Sequence, residues 1–131
     1  MVFDYIAFLY YNRYVMWSLK FWEGKPDMKS NVKFDMHCHT KEGSLDGKVE
    51  IAEYIKLLKS QGFGGMLVTD HDSYNGFRYY RDNLKEKLKD FVVLKGIEYD
   101  TIDAGHILVI LPENVKLPLM ECRGLPVKLL I

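Results

Sequence analysis

The chain has 131 residues, of which 48% are hydrophobic and 27% are charged, and its formal net charge is zero. This composition is typical of one globular domain rather than a disordered chain, and the balanced charge predicts no stable binding to nucleic acid or to an acidic membrane. Two cysteines are too few for a disulfide framework, so we expect reduced thiols in a cytoplasmic protein.

Residues 1–32 are an aromatic-rich N-terminal extension that holds half of the aromatic residues of the chain. The extension could form an apolar helix at a membrane interface or over a partner, or it could pack on the domain. Polar residues interrupt it, and it has no run of about 20 apolar residues, so no transmembrane span is predicted. It also lacks the small-residue cleavage site of a secretory signal. Pro26 marks the boundary of a domain that we place at residues 33–131.

The domain opens with a pattern of alternating strands and helices. Residues 32–37 alternate between apolar and polar and predict a strand. Apolar residues at helical spacing predict a helix over residues 49–60, and Gly62 supplies its stop signal. Residues 65–69 form a short apolar run, as expected for a strand that is buried on both faces.

A second helix is predicted over residues 73–89, with Asp72 or Ser73 as its N-terminal cap. A third strand is predicted over residues 91–98 and a fourth over residues 106–111. Strands that alternate with helices predict a parallel sheet with helical crossovers. The fold class is therefore α/β, with about four strands and two main helices.

The four histidines of the chain lie in short motifs near the predicted strand ends. Asp35, His37 and His39 are spaced by two, so on a strand their side chains would share a face. Paired imidazoles with a carboxylate suit Zn, Mn or Fe, and the carboxylate can orient a ring without binding the ion. A bare His-x-His could also be two unrelated polar residues near a strand end. Residues 69–72, Thr-Asp-His-Asp, directly follow the second strand.

Two further residues join these motifs. Glu98 falls at the end of the third predicted strand, and His106 opens the fourth. The carboxyl ends of strands in such sheets are where active sites form. His106 reaches the same rim if the third and fourth strands form a hairpin. Three strands thus bring His, Asp or Glu to one edge of the sheet.

In chain order these motifs resemble the signatures of the PHP (polymerase and histidinol phosphatase) domain family, over roughly residues 33–111. The matching motifs are Asp35-Met36-His37-Cys38-His39-Thr40, Thr69-Asp70-His71-Asp72, Gly96-Ile97-Glu98 and Gly105-His106. Members are metal-dependent phosphoesterases that act on small phosphorylated substrates such as nucleotides or phosphate monoesters. The resemblance implies that this chain is the N-terminal part of a distorted (β/α)7 TIM-like barrel.

The resemblance also implies a site for two or three divalent metal ions, which would be Mn, Zn or Fe. His37 and His39 would bind one ion and Glu98 would bridge ions. His71 would bind a second ion, and His106 would help to hold a third.

The carboxylates are assigned in the same way. Asp46, in a Ser-Leu-Asp-Gly turn, is implied as the ligand beside His71, and Glu42 is its competitor in the same loop. Glu98 and Asp70 are the residues implied for catalysis. Asp35 and Asp70 would support the ligands without binding an ion themselves.

The chain also departs from the family pattern. Relatives are longer and take further metal ligands from the second half of the barrel, whereas no histidine follows His106 here. Four strands cannot close a seven-stranded barrel, so we expect a truncated or split copy that a second chain or a homo-oligomer completes. The alternative is a non-catalytic metal- or partner-binding remnant. Arg78, Arg81 and Lys95 could contact a phosphate, but we expect surface charges.

Overall fold

The structure, a computed structural model, describes residues 10–11, 14–15, 33–103 and 105–116. Two short strands, β1 (Tyr10–Tyr11) and β2 (Tyr14–Val15), pair antiparallel. The helix considered for the aromatic extension is therefore not formed at these four positions. The rest of that extension, and residues 117–131 of the predicted domain, lie outside the described residues. Within the described ranges, no helix is both long and apolar enough to cross a membrane.

A four-stranded sheet organises the domain. Its strands are β3 (Lys33–Cys38), β4 (Phe63–Val68), β5 (Val92–Thr101) and β6 (Gly105–Ile110), and they lie in the order β3-β4-β5-β6. The first three strands are parallel, and β6 runs antiparallel to β5. The predicted parallel sheet is confirmed, and the third and fourth predicted strands do form a hairpin.

Two helices make the crossovers between the parallel strands. Helix α1 (Ile51–Ser60) buries Ile51, Ile55 and Leu58, which the helical period places on one face. It ends where Gly62 adopts a left-handed conformation (φ 82°) and donates its N–H to the carbonyl of Lys59. The predicted stop signal at Gly62 is confirmed.

Helix α2 (Asn75–Asn83) is shorter than the prediction, which continued to Lys89. The side-chain amide of Asn83 donates to the carbonyl of Tyr79 at 2.9 Å, and such local bonds compete with helical backbone bonds. At the other end, the Ser73 hydroxyl accepts the Asn75 N–H at 3.1 Å. The N-cap of the helix is Tyr74, which makes no side-chain cap bond, so neither predicted cap occupies that position.

The main core lies between the helices and the sheet, and a smaller cluster forms around Tyr74, Ile97 and Tyr99. Met66, Leu67 and Val68 of β4 are at most 1% exposed, so this strand is buried on both faces as predicted. The helices contribute Phe77 to the main core, and Tyr99 lies in the smaller cluster. Each such side chain contributes about 1.5–3 kcal/mol by leaving water. This packing makes the sheet a rigid base for the side chains at its edge.

Candidate metal centre

The chain beyond β4 stays attached to β5 through its backbone. The Glu98 N–H donates to the carbonyl of Asp70, and the Asp72 N–H donates to the carbonyl of Glu98, both at 3.1 Å. His71 and Glu98 are thereby paired across the sheet edge. Asp72, the other predicted helix cap, instead adopts a left-handed conformation (φ 46°), which aspartate tolerates better than most residues. This turn holds His71 beside Glu98.

Glu98 lies inside β5 and not at its end, which corrects the predicted strand boundary. The strand continues to Thr101 because its pairing with β6 runs from Gly96 to Thr101. The same hairpin brings His106 to the sheet edge, and its Nδ1 lies 2.9 Å from Glu98 Oε1. His106 therefore reaches the rim through a hairpin of the third and fourth strands, as predicted.

The two histidines of the first motif meet on the other oxygen of Glu98. His37 Nε2 lies 2.9 Å and His39 Nε2 lies 2.5 Å from Glu98 Oε2. Asp35 does not converge with them, because a register shift between Asp35 and Cys38 interrupts the pairing of β3 with β4. It instead accepts the backbone N–H of His37 at 3.2 Å and the Tyr54 hydroxyl at 2.9 Å. Asp35 thus supports the backbone of His37 and not its ring.

Asp46 lies between the remaining rings. Its Oδ2 is 2.7 Å from His39 Nδ1 and 3.3 Å from His71 Nε2. A neutral His39 that donates from Nδ1 to this carboxylate keeps the lone pair of Nε2 free to bind an ion, which is how carboxylates orient metal-binding histidines. Asp46 is therefore placed both to orient His39 and to bind beside His71.

The six predicted metal ligands come together in three overlapping groups whose ligand atoms lie within 4.8 Å of one another. We call them the first group (His37, His39, Glu98), the second group (His39, Asp46, His71) and the third group (His71, Glu98, His106). Glu98 belongs to two of them and is 5% exposed.

The donor atoms fit a divalent cation. His37 Nε2 and His39 Nε2 lie only 3.1 Å apart and face the same Glu98 oxygen. Unprotonated imidazole nitrogens repel each other at that distance unless a proton or a cation lies between them. Imidazole and carboxylate donors suit Zn, Mn and Fe, whereas structural zinc sites prefer cysteine-rich sets.

Charge within the cluster shifts the pKa of its members. Burial alone raises the pKa of Glu98, but hydrogen bonds with His37 and His39 and the charges of His37 and His71 hold it below its ordinary value. Burial alone lowers the pKa of His39, but its bonds to Asp46 and Glu98 raise it above its ordinary value. The hydrogen bond with His39 likewise lowers the pKa of Asp46. Without metal, the cluster therefore favours a protonated His39 between two ionised carboxylates.

Asp70 lies outside the three groups. It is fully buried, and its two oxygens accept the backbone N–H and the hydroxyl of Thr40 at 2.6 and 2.8 Å. A carboxylate enclosed in this way has no open path to a substrate. Its contribution must act through the residues that it holds.

Glu42, the competing carboxylate of the loop, also lies outside the groups. Both of its oxygens lie 3.1–3.2 Å from the backbone N–H of Ile51, the first residue of α1. A carboxylate there satisfies an unpaired helix N–H and complements the positive end of the helix dipole. The fold therefore gives Glu42 a structural partner and leaves Asp46 beside the histidines.

We expect the two carboxylates to respond differently to neutralisation. Glu42→Gln should lower the free energy of unfolding by about 0.5–1 kcal/mol, through the weaker cap, and leave the Mn²⁺ isotherm unchanged. Asp46→Asn should weaken Mn²⁺ binding by about tenfold or more, because it neutralises a carboxylate that lies between His39 and His71. Urea denaturation of both variants measures the free energy of unfolding, and titration calorimetry measures their Mn²⁺ affinity. Loss of Mn²⁺ binding in Glu42→Gln would show that Glu42, and not Asp46, is the carboxylate that serves the metal centre.

The residues considered for phosphate contact have other partners. Lys95 is 4% exposed, which corrects the expected surface position. Its ammonium donates to the carbonyls of Glu113 and Val115 and lies 4.6 Å from the centre of the Tyr74 ring. Burial lowers the pKa of Lys95.

The two arginines are exposed on α2. Arg78 donates to Asn75 at 3.2 Å, and Arg81 pairs with Asp82 at 2.7 Å. They are surface charges, as expected.

A cavity of about 320 Å³ opens beside the first group, and no sequence motif indicated it. It is lined by His37, Cys38, His39, Lys48, Val49 and Tyr54. None of these six described residues is a carboxylate, and Lys48 is exposed. Tyr54 follows Ile51 by three positions on α1, so helical spacing could have placed it near the sheet.

Comparison with known proteins gives a consistent family. The profile of a family described as "PHP domain" matches residues 35–119. The PolC-type DNA polymerase III of Thermotoga maritima is 36% identical over 74 residues, which cover 56% of this chain and 5% of the polymerase. That of Thermotoga petrophila is 35% identical over the same length. That of Mycoplasma genitalium is 29% identical over 92 residues, 70% of this chain and 6% of the polymerase. The matches thus span about a twentieth of each relative.

Proposed function

The chain belongs to the PHP domain family, and on that premise we propose that it is a metal-dependent phosphoesterase acting on a small phosphorylated substrate. The convergence of three overlapping ligand groups, two of which include Glu98, carries this proposal. The polymerase activity named for its relatives is not part of it, because the matched segment is only 5–6% of their length.

We propose two or three divalent ions, Mn, Zn or Fe, held by His37, His39, Asp46, His71, Glu98 and His106. Such ions activate water near neutral pH and stabilise charge on phosphoryl oxygens. Phosphoryl transfer then leaves the protein mainly positioning and electrostatics to supply. Glu98 offsets the positive charge of the site, and Asp46 orients His39. Asp70 contributes to catalysis only through the residues that it holds.

The cavity beside the first group supports a place for the substrate. Its open side gives a ligand access to His37 and His39, and Lys48 adds a positive charge to a wall whose described residues include no carboxylate. An anionic group fits this combination better than a neutral one. We place the phosphate ester there, with its organic part toward Val49 and Tyr54.

We further propose that a second chain or another copy of this chain completes the barrel. In the described sheet β3 has one paired neighbour, so its other side is an edge that can accept a strand. We place the protein in the cytoplasm, where Cys38, a buried free thiol, stays reduced.

The proposal is tested with the purified chain loaded with Mn²⁺. We expect release of phosphate from p-nitrophenyl phosphate or a nucleoside monophosphate, and loss of that activity in His37→Ala. Arg81→Ala, at an exposed position on α2, should keep the activity. Turnover in His37→Ala equal to that of the unchanged chain would contradict the phosphoesterase function and favour a non-catalytic domain.

Lys48→Met is expected to raise KM for a phosphate monoester by about tenfold and to change kcat little. The lost contact is a charge-assisted hydrogen bond of about 1.5 kcal/mol. Lys41→Met is the matched control, because Lys41 is an exposed lysine of the same loop that pairs with Glu50 at 3.1 Å. Steady-state kinetics of both variants measure the difference, and equal KM values would remove Lys48 from the substrate site.

A further inference from the structure

Asp70 is the most enclosed carboxylate near the cluster, and it touches none of the proposed ions' ligand atoms. We propose that Asp70 is the positioning residue that holds the second group in shape for a divalent cation. This inference rests on the proposed function, because it assigns a role within the same centre. Three independent observations support it.

The first contact fixes the chain beside His39. Thr40 follows His39 directly, and it donates both its N–H and its hydroxyl to Asp70, at 2.6 and 2.8 Å. Thr40 is fully buried. Two short bonds from one residue to the two oxygens of one carboxylate leave the backbone at His39 little freedom.

The second contact reaches the other two members of the group through Ser44. The Ser44 hydroxyl accepts the backbone N–H of His71 at 2.8 Å, and the Ser44 side chain also lies close enough to Asp70 to lower the pKa of that carboxylate. Ser44 is itself part of the turn that carries Asp46, since its N–H donates to Thr40 and its carbonyl accepts from Gly47. Asp70 thus connects to the backbone beside each of the three ligands of the second group.

The third observation is that two glycines pack closely against the Asp70 carboxylate. A Cβ atom on Gly43 would lie 1.9 Å from Asp70 Oδ2, and a Cβ atom on Gly76 would lie 2.3 Å from it. Two glycines from separate segments therefore approach the same oxygen. Enclosing a carboxylate is costly unless its hydrogen bonds are made, and here the bonds all lead to segments that carry ligands.

The first and third groups depend on Asp70 less. Each shares only one ligand with the second group, and each includes Glu98, which the sheet holds through β5 and β6. Loss of Asp70 should therefore weaken the second group selectively. A residue that only stabilised the fold would affect all groups in proportion to unfolding.

The test is Mn²⁺ titration calorimetry on the full chain. The binding phase that Asp46→Asn weakens identifies the ion held by the second group. Asp70→Asn keeps the size of the side chain and should weaken that phase by about 10–100-fold, as measured for other residues that orient metal ligands. The double variant Asp46→Asn/Asp70→Asn should bind no more weakly than Asp46→Asn alone, because both changes act on one group. Additive losses would overturn the proposal.

A second pair of variants keeps the test decisive if Asp70→Asn does not fold. Thr40→Val removes the hydroxyl bond and should weaken the same phase, and Thr40→Ser keeps the hydroxyl and should restore it. Ile55→Val, a core change within α1, should lower Tm without changing the isotherm. An unchanged isotherm in Thr40→Val would overturn the role of Asp70. An unchanged isotherm in Asp46→Asn would instead contradict the metal centre itself.

Discussion

Replacing Glu98 with Gln is expected to weaken Mn²⁺ binding by more than about 100-fold and to remove phosphoesterase activity. Glu98 belongs to two of the three groups, with His37 and His39 on one oxygen and His106 on the other. Residues that only orient a ligand already change metal affinity by about 10–100-fold. A carboxylate that contacts three rings directly should contribute more, since the amide supplies neither the charge nor the second oxygen.

Glu113→Gln is the matched control for this change. Glu113 is an exposed glutamate whose carboxylate pairs with Lys85 at 2.6 Å. Its neutralisation removes the same charge from the chain without touching the cluster. Calorimetry and phosphate release should be unchanged in Glu113→Gln. Equal Mn²⁺ affinity in Glu98→Gln and in the unchanged chain would rule out Glu98 as a shared ligand.

Mn²⁺ affinity is expected to fall by roughly 100-fold between pH 8 and pH 6, because the ion competes with protons for the histidines. The raised pKa of His39 extends this competition to a higher pH than an ordinary histidine would. The carboxylates do not contribute in this window, because the pKa values of Asp46 and Glu98 are lowered and both stay ionised. Calorimetry across the pH range measures the slope.

The stability of the metal-free chain should change in the opposite direction. A folded-state pKa of His39 above its unfolded value stabilises the fold at pH below the unfolded value, and this stabilisation is lost as pH rises through the folded pKa. Tm in EDTA should therefore decrease from pH 6 to pH 8, whereas Tm in saturating Mn²⁺ should increase. Asp46→Asn, which removes a charged partner of His39, should flatten the metal-free trend. Parallel slopes with and without Mn²⁺ would contradict this linkage.

Most of the fold could be predicted because it follows from short-range patterns. Helical spacing of Ile51, Ile55 and Leu58 placed α1, and the continuous apolar run of β4 indicated a strand buried on both faces. The boundaries were less predictable where a partner decides them. The third strand extends past Glu98 because β6 pairs with it, and no local pattern contains that information.

The candidate site was also predictable only in part from the sequence. Spacing and strand ends were enough to select the four histidines and Glu98, whereas Asp46 was selected through the resemblance to the PHP family. The same patterns misplaced Lys95, which is enclosed by a segment that lies about 20 residues further along the chain.

The sequence by itself determined which residues are the candidate metal ligands, since residue type, local period and motif order can be read from short segments. Only the tertiary structure decided which partners each carboxylate contacts. Glu42 and Asp46 are four residues apart in one loop, yet one caps α1 and the other lies between His39 and His71. Asp70 faces the same loop from the segment that follows β4 and holds it. These roles depend on where the loop closes against distant backbone, and that closure is set by packing across the whole domain.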